Sequence, residues 1–76
     1  MNFPVQNEFI ELFKLLKAAN LVSSGGEGKH VVAEGLVKVD GLLETGKRRK
    51  IRAGQRIEFA GETIVVVSPD DLASSR

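Results

Sequence analysis

The 76-residue chain has no cysteine, tryptophan or tyrosine, one histidine and two prolines. Without cysteine it can form neither a disulfide nor a thiolate metal site, and the absence fits a reducing compartment. A chain this short makes one domain and buries only about 60% of the surface its unfolded form exposes. Long apolar runs are missing too. The longest unbroken aliphatic stretch is Ile64 to Val67, far below the ~20 residues that span a bilayer. Met1-Asn2-Phe3-Pro4 carries no basic side chain and leads into no apolar segment, unlike a secretory signal. The expectation is a soluble, cytoplasmic protein with no membrane partner.

Groups able to do chemistry are equally scarce. His30 falls on the polar side of a short helix and reads as a surface side chain. Asp70-Asp71 reads as a solvated pair in a polar tail. No cluster of His, Asp or Glu has metal-ligand spacing, and nothing suggests a Ser–His–acid arrangement. The expectation is no enzyme, no catalytic residue, no cofactor, no metal and no small-molecule substrate.

What the chain does have is unevenly placed charge. The net charge is only +1, yet eight of the eleven Lys and Arg lie within residues 29–56, against Glu34, Asp40 and Glu44. The flanking segments are both net negative. A local basic patch of this kind suits a polyanionic partner.

Residues 8–20 predict an amphipathic helix. Phe9, Leu12, Phe13, Leu16 and Ala19 follow helical spacing, with Ile10 and Leu15 widening the stripe. Asn7 is the expected N-cap and Asn20 the stop. Ser24 and Glu27 have capping-box spacing and predict a second helix to about Glu34, with Gly35 just past its end. Val31 and Val32 face the core. Gly28 allows the two helices to approach closely. Beyond Gly35 the pattern turns to strands: Val37 and Val39, a turn at Asp40-Gly41, a loop or strand edge at Lys47 to Lys50, a turn at Ala53-Gly54, then Ile57 and Phe59, a turn at Ala60-Gly61, and Thr63 to Val67. Residues 1–76 read as a single domain with its core at about 8–68 and a frayed tail at 69–76. The fold class is α+β, two N-terminal helices packed on a small, mostly antiparallel sheet.

Gly25-Gly26-Glu27-Gly28-Lys29 looks like half of a phosphate-binding loop, but Ser23 and His30 occupy positions that motif needs as Gly and Ser/Thr. A helix N-terminus at Ser24 still attracts phosphate. Lys47-Arg48-Arg49-Lys50, with Arg52, Lys38 and Lys29, is the sharpest feature, because a polyphosphate relieves the mutual repulsion of adjacent cations. Phe9, Phe13 and Phe59 fall on core-facing positions, which argues against a base-stacking platform. A Lys/Arg surface with few aromatics suits backbone and shape recognition of folded RNA.

Gly35-x-Val37-x-Val39-Asp40-Gly41 resembles the Gly-x-Val-x-Val-Asn-Gly signature of ribosomal-protein S-four-type (αL) RNA-binding domains. The spacing back to Ser24 fits that family's Ser-Arg-x-x-Ala-Arg segment, and Gly54-Gln55-x-Ile57 fits its Gly-Asp-x-Ile. The resemblance runs from about Glu8 to Val67. Ala33-Glu34-Gly35, and Glu44-Thr45 followed by Lys47-Arg48 and Lys50, resemble the small stand-alone YbcJ-type proteins of bacteria. There are departures. The family's Arg-Leu-Asp falls on Glu11-Leu12-Phe13, its Arg on Gly25 and its small Ala on Gly28, while its following basic residue is kept as Lys29. The resemblance implies RNA binding without catalysis, linked to ribosomal or transfer RNA and to the ribosome or a ribosomal precursor. The expected RNA-contacting residues are Ser24, Lys29, Lys38, Lys47, Arg48, Arg49, Lys50 and Arg52. The alternatives are a protein-interaction adaptor using a strand edge or the 64–67 segment, and a β-grasp carrier, which lacks its terminal Gly-Gly here.

Overall fold

The computed structural model describes residues 1–69. In chain order it contains β1 (Asn2–Pro4), β2 (Ile10–Glu11), α1 (Leu12–Ala18), α2 (Gly25–Ala33), β3 (Val37–Val39), β4 (Leu42–Leu43), β5 (Lys50–Ile51), β6 (Arg56–Phe59) and β7 (Glu62–Val67). Five strands form one sheet in the order β1-β7-β6-β3-β4, while β2 and β5 form a separate antiparallel pair. Within the large sheet β1 runs parallel to β7 and the other pairings are antiparallel. The α+β class is as expected. None of the described helices is long and apolar enough to cross a membrane.

Alternation along the strands decides which face is buried. Val37, Val39, Ile57, Ile64 and Val66 are buried and pack with Leu12, Leu15 and Leu16 of α1 and Val31 and Val32 of α2 in one cluster. Lys38, paired with Glu58 and Leu43, stands on the opposite, exposed face. The 64–67 segment is flanked on both sides by β1 and β6. It is an inner strand, so a partner there would find no free backbone edge. The tail beyond residue 69 lies outside the described residues.

Both helices end as their sequences predict. Leu21 N–H reaches Leu16 O and Asn20 N–H reaches Lys17 O, with Asn20 left-handed at φ 63°. Leu36 N–H reaches Val31 O and Gly35 N–H reaches Val32 O, with Gly35 at φ 76°. These paired bonds satisfy the last carbonyls of each helix.

The start of α1 differs from expectation. The helix begins at Leu12, and Ile10-Glu11 is extended and paired with Ile51-Lys50. Asn7 is not its cap. Glu11 holds the cap position, extended at φ −69° and ψ 143°, with no side-chain cap bond. Helical spacing continues backward through Phe9 by coincidence of apolar positions. The strand pairing wins there because it sets Ile10 against the fully buried Ile51. The sheet also takes in Asn2–Pro4, ahead of the expected core.

At Gly28, a Cβ would lie 2.8 Å from the backbone oxygen of Phe13. A methyl there must push the helices apart, which outweighs alanine's better helix propensity. Gly28→Ala is expected to lower stability by about 1–2 kcal/mol in urea unfolding, with the slope of the transition unchanged.

The β3–β4 turn places Asp40 and Gly41 at φ 52° and 82°, both positive as a type I′ hairpin requires. The Asp40 carboxylate accepts from Arg56 N–H at 2.9 Å and from the Gln55 amide at 3.3 Å. Those bonds, with the Arg56 and Arg49 charges, hold its pKa below the usual value. A lowered folded pKa stabilises the fold above the ordinary carboxylate range, and that contribution fades as pH falls through the folded value. The stability deficit of Asp40→Ala relative to the parent should therefore be largest near neutrality and shrink in acid, measured by denaturation at stepped pH.

Candidate nucleic-acid interface

The first amides of any helix need acceptors that the helix cannot supply. In α1 they come from a distant segment. Leu12 N–H donates to Arg49 O at 2.9 Å and Phe13 N–H to Lys47 O at 3.1 Å. The basic run thus lies across the N-terminus of α1, held by its own backbone. Glu44 shapes the loop from within: one carboxylate oxygen accepts Gly46 N–H at 2.9 Å, and the other meets the Arg49 guanidinium at 3.3 Å. Arg49 N–H closes a turn onto Gly46 O at 3.0 Å. β5 then pairs with β2, setting Lys50 opposite Glu11.

Two aromatic rings extend this surface. Phe13 is buried and Phe9 half-buried, yet neither belongs to the core cluster. The Lys29 ammonium stands 4.9 Å and that of Lys14 5.9 Å from the centre of the Phe13 ring. Lys50 and Arg52 stand 4.9 and 5.9 Å from the centre of the Phe9 ring. Phe13 is buried as expected, while the expectation that Phe9 faces the core is corrected. Phe9 precedes the helix, and Phe13 turns toward Gly25, where an added Cβ would sit 3.7 Å from the ring. Contacts therefore run from Lys29 through Phe13 to Lys47, along the loop to Lys50, and on through Phe9 to Arg52. Sequence reasoning missed Lys14, which meets Lys29 only through the Phe13 ring that both cations approach.

Ser24 and Lys38 stand apart from this group. The Ser24 hydroxyl accepts Glu27 N–H at 3.1 Å and caps α2. The Glu27 carboxylate turns back to accept Ser23 N–H at 2.6 Å and its hydroxyl at 2.7 Å. These bonds, chiefly the backbone one, hold the pKa of Glu27 below its usual value. The N-terminus of α2 thus carries its own carboxylate, which weakens its attraction for phosphate. Lys38 is on the exposed face of the sheet, paired in register with Leu43 and Glu58.

Three ion pairs hold cations of the patch: Arg49–Glu44 at 3.3 Å, Arg52–Glu8 at 3.4 Å and Lys14–Glu11 at 3.3 Å. All six partners reach solvent, so each pair is worth little and can open toward a phosphate. Asp40, by contrast, gives its carboxylate to the amides of Arg56 and Gln55. Among the described residues no three His, Asp or Glu side chains come together as a metal site would require.

Residues 3–67 match the S4 domain family. YbcJ of Escherichia coli (strain K12) is 51% identical over 59 residues, which cover 78% of this chain and 84% of YbcJ. YbcJ of Shigella flexneri gives the same figures. The solution structure of E. coli YbcJ, reported to carry an αL motif involved in RNA-binding, has a TM-score of 0.69 and 46% identity, covering 88% of this chain and 86% of that one. The 30S ribosomal protein S4e of Thermoplasma acidophilum has a TM-score of 0.64 and 27% identity, covering 76% of this chain and 31% of that one. With the same fold, half of the aligned residues shared with YbcJ and a family match from β1 to the end of β7, this chain belongs to the S4 domain family.

Proposed function

We propose that this protein binds folded RNA of the ribosomal or transfer RNA class, on a ribosome or a ribosomal precursor, and does no chemistry of its own. The observation that carries this reading is the gathering of Lys29, Lys47 to Lys50 and Arg52, from separate segments, around the N-terminus of α1. The RNA-binding motif reported for YbcJ supports it. Lys47, Arg48 and Lys50 are exposed on a loop whose backbone is already ordered, so little conformational freedom is lost when a phosphate docks. Lys14 joins the contact set from the same surface. Ser24 acts by fixing the start of α2, and Lys38 contributes only general electrostatic attraction.

Binding through about four phosphates gives a plot of log affinity against log salt with a slope of roughly −3 to −4. Replacing Arg48 and Arg49 together by alanine is expected to weaken binding about tenfold or more near 0.1 M salt and to make the slope shallower by about 2. Lys38→Ala should change affinity no more than about twofold, as screening at that ionic strength implies. A direct titration of a labelled folded RNA reads all of this. A flat salt response, or an unchanged affinity in the double variant, overturns the proposal.

A second reading, a protein-interaction adaptor, draws on β4. Leu42 and Leu43 on this edge strand are 74% and 62% exposed, and Leu36 nearby is 56% exposed. The strand is two residues long, which offers an added strand few backbone bonds. Partners that stay bound after nuclease treatment and are lost in Leu43→Asp would favour this reading over RNA.

A further inference from the structure

The Phe9 ring forms a wall of two adjoining hollows. One has a volume of about 720 Å³ and is lined by Asn7, Glu8, Phe9, Ile10, Glu11 and Lys14. The other, about 200 Å³, reaches the ring from the side of Phe3 to Asn7. Phe9 is only half-buried and takes no part in the core cluster, and the cations of Lys50 and Arg52 stand over its ring beside the basic loop.

Charge sorts what each part of this region can hold. Lys50 and Arg52 stand at the ring and favour phosphate. The larger hollow presents the carboxylates of Glu8 and Glu11, each tethered to a cation, and the amide of Asn7. Carboxylates repel phosphate but accept hydrogen bonds from base amino and imino groups. A nucleotide therefore fits in one orientation, with its phosphate at Lys50 and Arg52 and its base in the hollow against Phe9. A base can reach a ring in this way only when it is unpaired and unstacked.

We propose that Phe9 is a stacking site for one unpaired base of the RNA, so that the protein prefers an RNA with a loop or bulge over a continuous duplex. This rests on the RNA-binding reading above and narrows it. When Lys50 and Arg52 swing from the ring to the phosphates, the base replaces them on the aromatic face, and the cation–ring contact is exchanged for stacking.

The test compares two RNAs of equal length, a hairpin with an unpaired loop and a blunt duplex, in titrations at several salt concentrations. The wild-type protein is expected to bind the hairpin roughly 5- to 100-fold more tightly, the span that one base–aromatic stack supplies. Phe9→Leu keeps apolar bulk but removes the aromatic face. It should erase most of this preference, bringing hairpin affinity down toward that of the duplex. Phe9 ring-proton resonances should shift on adding hairpin but not duplex. Equal affinity of the wild type for both RNAs, or a Phe9→Leu variant that keeps the hairpin preference, overturns the stacking site and leaves phosphate binding standing. Absence of salt-dependent binding to either RNA removes both readings.

Discussion

Two hydrogen bonds, from Leu12 and Phe13 N–H to Arg49 and Lys47 carbonyls, tie the rest of this structure together. α1 has seven residues, too few to be helical alone in water, and no side chain caps its start. The loop supplies the missing acceptors. In return, the helix holds four consecutive cations in one backbone conformation despite their mutual repulsion. Helix, loop and the β2–β5 pair stand or fall together, so the element that supports the core also orders the basic surface.

The positions where this chain departs from the αL pattern meet in space. Phe13, where the pattern has Asp, lies over Gly25, where it has Arg, and the Phe13 backbone lies against Gly28, where it has Ala. A Cβ at position 25 would meet the ring at ordinary contact distance, whereas Gly28 makes room for the Phe13 backbone. Lys29, the basic residue that is kept, closes over that ring at 4.9 Å. The departures thus lie together around Phe13. They exchange charged groups at the helix contact for an aromatic–cation surface, while the loop cations carry the positive charge.

The patch is also tempered. Glu44, Glu8 and Glu11 each hold a cation in an exposed pair. Such pairs add little stability. A net charge of +1 with eight cations in the middle segment favours a partner that approaches from one side, where the local potential outweighs the overall balance.

Much of this was legible along the chain. Ser24 with Glu27, Asn20, Gly35 and Asp40-Gly41 announce caps and turns, because those depend on each residue's own backbone preferences and on bonds to neighbours a few positions away. The alternation of Val37, Lys38 and Val39 likewise shows which side chains enter the core. The basic run was visible for the same reason. Two things were not: that α1 begins at Leu12 and that Phe9 lies outside the core. Each turns on contacts between residues far apart in the chain, such as Ile10 with Ile51, Phe13 with Gly28 and Leu12 with Arg49. Local spacing supports helix and strand alike at Phe9-Ile10. Long-range pairing chooses between them, because only the folded chain brings up the partner that satisfies the backbone and buries the side chain.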